Sequence, residues 1–524
     1  MSTLSDARPG RVRLWAFIPP ALAALLAIAG LALGWRGVDL PAQIYRVGLF
    51  HQRGFTLWDS QWYGGHWTLD YSVLFPPLAG ILGVDVTAVV SAAAAAWAFD
   101  RMVIEHFGRS ARAGSLAFAT GTLVQLAIGQ LPFLLGEALG LLACCAATRR
   151  RWPLAIGLAV ATSLASPLAG AFLALAGVAW LLGSWPANRA RLAVLVAGVA
   201  LPVAVLAVLF PGQGFFPFPA ADFAFEGVAC VVMLALVPRH EPVLRAAACL
   251  YLLATAASFV LPSAVGGNVG RLGECIAIPL AACVLWPLRR WLLSALALPM
   301  ALWSWSPAWG AMTNRNAHDP STHQMYFDPL VTFLATHNVP LGRVEVVPTR
   351  FHWEAAYVAP STALARGWER QLDTAANPIF YDRVPLDPLT YESWLIENGV
   401  RFVALPDAPL DFAGVAEAGL ITAGLPDLQP VWSDDHWRVF EVTGSSGILD
   451  GPGHLLDVSG GHAAFQADEA GTFVLRVHFT PRWTVTQGSG CVRPTLDRWT
   501  SVDVTTPGEV DLDMRLVGGS PTEC

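Results

Sequence analysis

The sequence predicts a polytopic α-helical membrane protein of about eleven spans, followed by an exported C-terminal region that joins an α/β part to a β-sandwich. Three observations predict it. Hydrophobic residues make up 54% of the 524 positions and charged ones only 14%, with a mean hydropathy of +0.50, more apolar surface than a soluble enzyme of this length needs. The apolar residues fall in long unbroken runs rather than in the short alternating segments of an outer-membrane barrel. After about residue 311 the runs give way to mixed polar and apolar sequence. The net charge of -7 averages a basic apolar half and an acidic remainder, and all 32 basic side chains are arginine, with no clustering of the kind that marks a nucleic-acid surface.

The first run, Leu14 to Trp35, follows Arg8, Arg11 and Arg13. It is too long for a signal-peptide core and reads as an uncleaved span. Later spans are expected to begin near Val84, Gly114, Pro132, Leu154, Leu168, Leu192, Phe223, Val243, Leu272 and Leu292. With the N-terminus in the cytoplasm, the inward loops collect Arg101, Arg109, Arg112, Arg149 to Arg151, Arg189, Arg191, Arg239, Arg245, Arg289 and Arg290, as the positive-inside rule requires. An odd count of spans then places the C-terminal region outside, in a multi-pass protein of a bacterial plasma membrane. Arg36, Arg46, Arg53 and Arg271 break the rule by lying on the outward side.

The expected boundaries are a transmembrane module over 1–311 with a large outer loop at 36–83, an α/β domain over 312–445, and a small β-rich domain over 446–524. Val344–Val347, Arg401–Leu405 and Arg438–Val442 read as strands. Tyr391 to Asn398 reads as a helix stopped by Gly399. Thr472 to Thr480 and Ser501 to Leu516 read as strands of a terminal sandwich. Cys144, Cys145, Cys230, Cys249 and Cys283 fall in spans as small buried groups. Cys491 and Cys524 lie in the exported part, where they either pair or stay free.

The outer loop concentrates the chemistry. Asp39 sits at the membrane boundary, where a lone carboxylate is costly to bury. Arg46 follows seven residues later, about two helical turns on, so a short helix puts both on one face. An acid beside a cation suits a general base that activates a hydroxyl next to a phosphate leaving group. Trp58, Trp62, Tyr63, His66 and Trp67 are either flat faces for a sugar or an interfacial aromatic belt. At the fifth outward connection, Arg271 and Glu274 share a helix face after the glycine-rich run that holds Asn268, and Arg271 either holds a phosphate or is neutralised by Glu274. Glu137 lies within an apolar run, facing a cavity or the outer boundary. In the C-terminal region, His352–Glu354, Arg366–Glu369 and Trp432–Trp437 combine rings with polar groups, as either a carbohydrate surface or buried structure.

The first span followed by Asp39–Pro41, Tyr45–Arg46, Gly54, Trp58, Tyr63–His66 and Leu74–Leu78 resembles the first luminal loop of the GT-C superfamily of integral membrane glycosyltransferases, and the exported tail is similar to YfhO-like bacterial branches. The resemblance covers the membrane half. It implies transfer of a sugar from a polyprenyl-phosphate carrier to an extracytoplasmic cell-envelope glycan or glycolipid, with Asp39 as the base, Arg46 and Arg271 on the donor phosphate, and Trp58, Trp62, Tyr63, His66, Asn268, Glu274 and Glu137 near the sugars. The loop lacks the Asp-x-Asp pair of metal-dependent members, which leaves a divalent metal (Mg or Mn) open. A lipid-linked sugar flippase and a non-catalytic scaffold in envelope assembly are the rival classes. The charged residues gather at the outer face and no inverted repeat is evident, which disfavours a transporter.

Overall fold

The computed structural model describes residues 14–183, 189–212, 214–286, 289–313, 319–337, 341–382 and 384–516. Contacts divide the chain into two compact units, Met1–Leu40 with Asp70–Asn316, and Pro41–Leu69 with Ala317–Cys524. The outer loop expected at 36–83 therefore does not stay whole with the apolar helices. Its central residues fold into the second unit.

The first unit is helical. Among the described residues five stretches are long and apolar enough to cross a membrane: Val84–Ile128, Leu131–Thr148, Arg189–Leu209, Pro242–Val260 and Gly266–Leu285. About eleven spans are not seen. The starts expected near Leu154 and Leu168 fall in helices of only 14 and 17 residues, Trp152–Ala165 and Pro167–Gly183, short of the ~20 residues a bilayer core requires. Extended backbone at Ser166 separates them, because the residue before a proline is pushed out of the helical region. The first apolar run yields a 15-residue helix, Ile18–Ala32.

The stretch Val84–Ile128 holds two helices, Val84–Phe107 and Arg112–Ile128. Phe99 and Phe118 stack with ring centroids 4.2 Å apart, whereas one straight helix would separate them by about 28 Å, so the chain turns back at Gly108 (φ 69°). Small residues let neighbouring helices close up. A Cβ on Gly136 would lie 2.7 Å from the Ala169 methyl, and the Ser163 hydroxyl donates to the Val199 carbonyl at 2.8 Å, the polar and small-residue contacts that hold helices together in lipid.

The second unit contains a hairpin and three four-stranded sheets. Strands β1 (Trp58–Asp59) and β2 (His66–Trp67) pair antiparallel, Trp58 opposite Trp67. Tyr63, Gly64 and Gly65 turn the chain between them with φ of 58°, 76° and 128°. Gly65 is obligatory, since a Cβ there would lie 2.2 Å from the Trp58 ring.

A mixed sheet follows, in the order β3 (Arg343–Val346), β4 (Val400–Pro406), β6 (Trp437–Val442), β5 (Leu428–Ser433), with only β3 and β4 parallel. The helix Pro388–Glu397 begins on Asp387, whose side chain accepts from the Thr390 N–H, and Gly399 (φ 64°) turns it into β4. Strands β7 (Leu449–Asp450), β8 (Gly453–Ser459), β9 (His462–Ala467), β10 (Gly471–His478), β11 (Trp483–Gln487), β12 (Gly490–Pro494), β13 (Trp499–Val504) and β14 (Gly508–Met514) form two antiparallel sheets, β12-β13-β10-β7 and β11-β14-β9-β8. Alternate residues such as Phe473, Leu475 and Val477 are fully buried, the period of two expected of strands with one face on a core. Trp58 of the hairpin packs into that same core.

Candidate active site

Asp39 and Arg271 build the site in the helical unit. Gly37 has no Cβ to meet the Ala127 carbonyl, which would lie 2.3 Å away, and Gly129 clears the Leu40 backbone in the same manner. The segment 37–40 can therefore lie on the end of the helix Arg112–Ile128, and the Asp39 N–H donates to the Ile128 carbonyl at 2.9 Å. From the other side, the turn Gly266–Gly270 feeds the helix Arg271–Leu285. Tyr251 fastens its start: the phenol donates to the Val269 carbonyl at 3.1 Å and accepts from the Gly273 N–H at 3.2 Å.

The two charges meet there, with the Arg271 guanidinium 3.6 Å from the Asp39 carboxylate and 5.9 Å from the centre of the Phe133 ring. The ion pair of Arg271 is thus made with Asp39, and Glu274 lies one turn along the same helix. Glu274 occupies the first turn of the Arg271 helix and is half-buried, and Asn268 lies in the preceding turn, also half-buried, its N–H on the Val265 carbonyl at 2.8 Å.

A cavity of about 650 Å³ borders the helix Arg271–Leu285 and is lined mostly by apolar side chains, with Asp39 and Arg271 outside its lining. Phe133, the ring beside Arg271, is part of its wall. So is Glu137, whose carboxylate accepts from the Gln125 amide at 3.1 Å. The same amide donates to the Cys275 thiol. Glu226 also borders the cavity, packed so closely on Gly270 that a Cβ there would lie 2.3 Å from it. At another part of the wall, His106 and Glu241 pair at 2.9 Å. Sequence reasoning missed Gln125, Cys275 and Tyr251. The signal available was a polar side chain within a long apolar run, which at membrane depth usually faces a cavity or a partner.

The remaining predicted residues belong to the second unit, and most are structural. Arg46 lies on the helix Leu40–Arg53, which begins after Asp39 and so does not carry both on one face, and its guanidinium is buried against the Glu369 carboxylate. That pairing replaces the expected role on a donor phosphate. Trp58 is core. Trp62 is 0% exposed, sandwiched by Tyr45 at 4.5 Å and His66 at 5.1 Å. The Tyr63 phenol donates to the Glu369 carbonyl at 3.0 Å. His66 is buried beside Arg46, and desolvation with that positive charge lowers it to about 3, so it is neutral. Neither a sugar platform nor an interfacial belt describes rings that have no exposed face.

Behind them, the Tyr45 phenol donates to the Asp59 carboxylate at 2.8 Å, and burial raises Asp59 to about 6 against the pull of that bond. The ring-and-charge segments His352–Glu354 and Arg366–Glu369 are likewise interior: Arg366 forks onto Asp373 at 2.6 Å and Glu417 at 3.0 Å. Trp437 is 1% exposed, its indole donating to the Tyr326 carbonyl at 2.8 Å.

Among the described residues no group of three or more His, Cys, Asp or Glu side chains is arranged to hold a metal ion. Asp39 faces a guanidinium, a donor set that does not suit Mg or Mn. Cys491 is disulfide-bonded, and Cys524 lies outside the described residues. The chain matches no protein-family model and no curated protein.

Proposed function

We propose that this protein is a GT-C-like glycosyltransferase of a bacterial cell membrane, moving a sugar from a polyprenyl-phosphate carrier to an extracytoplasmic glycan or lipid acceptor. The observation that carries the reading is the Asp39–Arg271 pair, 3.6 Å apart, with the ring beneath Arg271 forming part of the wall of a large apolar cavity. An apolar cleft with a few convergent polar groups is the usual form of a small-molecule site. Here the apolar wall suits an isoprenoid chain, and the Asp39–Arg271 pair, reached from the cavity through Phe133, suits its phosphate.

In this mechanism the acceptor hydroxyl attacks the anomeric carbon of the donor sugar, and the bond from that carbon to the phosphate oxygen breaks. The hydroxyl proton passes to the Asp39 carboxylate. The departing polyprenyl phosphate gains charge, which Arg271 balances through charge-assisted hydrogen bonds. Asn268 and Glu274, on the turn and helix that carry Arg271, orient the sugars. Arg46 has no part in these steps. The arginine-rich loops support a cytoplasmic N-terminus and an extracytoplasmic second unit.

The test is transfer of radiolabelled sugar from native polyprenyl-phosphate donors in membranes expressing the wild type or Asp39→Asn. Loss of transfer at normal expression is expected. Unchanged transfer by the variant sinks the reading, and movement of lipid-linked sugar without a new glycosidic bond would establish a flippase in its place.

A further inference from the structure

A second cavity, of about 340 Å³, lies wholly within the second unit. One wall is a face of the helix Leu40–Arg53 carrying Tyr45, Gln52 and Arg53. The others present Gln61 from the hairpin turn, Gln324 and Tyr357. We propose that this cavity binds a single sugar residue of a saccharide, which deepens the glycosyl-transfer reading by giving the second unit a saccharide site of its own, and rests on that reading only for where the saccharide comes from.

Gln61 is the first argument. It is 7% exposed, and its amide nitrogen donates to the Val458 carbonyl at 2.9 Å. That carbonyl can only accept, so it fixes which end of the amide is nitrogen and leaves the oxygen on the other side. Among the described residues the buried oxygen has no hydrogen-bond partner, a condition native proteins rarely tolerate without a ligand or water to meet it. A sugar hydroxyl is a donor of the right kind.

Gly48 is the second, and it is independent. It lies in the middle of a 14-residue helix and lines the same cavity. Glycine weakens a helix interior, yet no close packing demands it here: apart from its own helix backbone, a Cβ at this position would meet no atom of the described residues within 4 Å. The space above Gly48 is open, and it opens into the cavity.

The lining chemistry selects the ligand class. Three amides offer donors and acceptors together, the half-buried Tyr357 supplies a ring, and Arg53 is the one formally charged side chain among the described lining residues. A phosphate would call for more cations and a lipid for fewer polar groups. A volume near the low end of the ~300–1,000 Å³ range of small-molecule sites fits one sugar ring rather than a long chain.

The experiment uses the full chain in detergent micelles on an array of bacterial saccharides that spans hexoses, deoxyhexoses, pentoses, amino sugars and uronic acids, with the dissociation constant of the best binder then measured by calorimetry. Wild type binds at least one saccharide, and Gly48→Phe, which fills the open space, weakens it at least tenfold while keeping the thermal unfolding midpoint. If Gly48→Phe does not fold, Gln61→Leu takes its place under the same criterion. No binding by wild type to any class on the array overturns the proposal, and so does undiminished binding by the folded variant. Asp39→Asn is expected to bind the saccharide as wild type does, so a failure of the catalytic reading and a failure of this one leave different signatures.

Discussion

The Asp39 carboxylate and the Arg271 guanidinium lie 3.6 Å apart, brought together by glycine-containing segments on both sides. In the proposed reaction their charges do different work, and the two substitutions separate them. Asp39→Asn removes the proton acceptor and is expected to lower kcat by about 10²- to 10⁴-fold, the range of general-base catalysis. Arg271→Gln removes charge stabilisation of the leaving phosphate and is expected to lower kcat/KM by about 10²- to 10³-fold. Arg271→Lys restores part of it, since an ammonium keeps the charge but not the fork. Steady-state rates with a water-soluble short-chain donor check all three. Equal activity of Arg271→Gln and wild type would remove Arg271 from the mechanism.

Arg46 and Glu369 make the opposite case, a buried pair whose role is structural. Both side chains are nearly inaccessible, and the guanidinium also stands 5.8 Å from the Trp62 and Trp368 ring centres. Removing one partner leaves the other charge buried and uncompensated, a loss of about 3–5 kcal/mol. Arg46→Ala and Glu369→Ala should each lower the denaturation midpoint of the second unit, and the double variant should lose less than the sum. A phosphate-binding Arg46 would give the reverse pattern, normal stability with a raised KM for the donor.

The difference between these two arginines marks what the sequence could and could not tell. Arg271 stood out because it broke the positive-inside pattern beside a glycine-rich turn, and Asp39 because a carboxylate at a membrane boundary is costly. Arg46 broke the same pattern for another reason: its partner, Glu369, lies more than three hundred residues away, a pairing that no local spacing reveals. The aromatic loop misled in the same manner, because Trp58 and Trp62 look alike on the page whether they face water or enter a core built from distant strands. The C-terminal strands were legible from their alternation. The number of spans was not: hydropathy separates the apolar runs that begin near Leu154 and Leu168, but it does not see that their helices are only 14 and 17 residues long.

The apolar cavity can be tested apart from the chemistry at Asp39 and Arg271. Ala247 lines it on the helix Pro242–Val260, at a distance in sequence from every proposed catalytic group. Ala247→Trp should occupy part of the space for the isoprenoid chain. Since the chain contributes equally to ground and transition states, KM for a full-length polyprenyl donor is expected to rise about tenfold with kcat little changed. A water-soluble short-chain donor should be used equally well by both proteins. A variant that loses kcat on both donors, with no change in KM, would place the carrier elsewhere.

His352 makes the stability of the second unit depend on pH. Its imidazole is 4% exposed and lies between two carboxylates, Glu354 at 3.2 Å and Asp411 at 3.5 Å. The Arg370 guanidinium forks onto Asp411 at 2.8 and 2.7 Å and stands 3.4 Å from the imidazole. Burial alone would lower the histidine, but the carboxylates of Asp411 and Glu354 beside it outweigh that and raise the group to about 9. A group whose folded pKa is raised contributes stability that is complete below its ordinary value, ~6.5, and is lost as pH climbs through the folded value. Asp411 moves the other way: burial pushes its carboxyl up, but hydrogen bonds from His352 and Arg370 prevail and hold it well below the usual range. Its contribution is therefore present above ~4 and fades only in strong acid. The contribution of His352 to the stability of the second unit should be level up to about pH 6.5 and then fall toward pH 9, a total loss on the order of 3 kcal/mol, read as the difference between wild type and a variant without the titration, because His66 and Asp59 shift the midpoint below pH 6.5 in both proteins. His352→Gln keeps a polar group in the site without the titration, so it should start from a lower midpoint and show a flatter profile above pH 6.5. A variant as steep as wild type would assign the alkaline loss to another group.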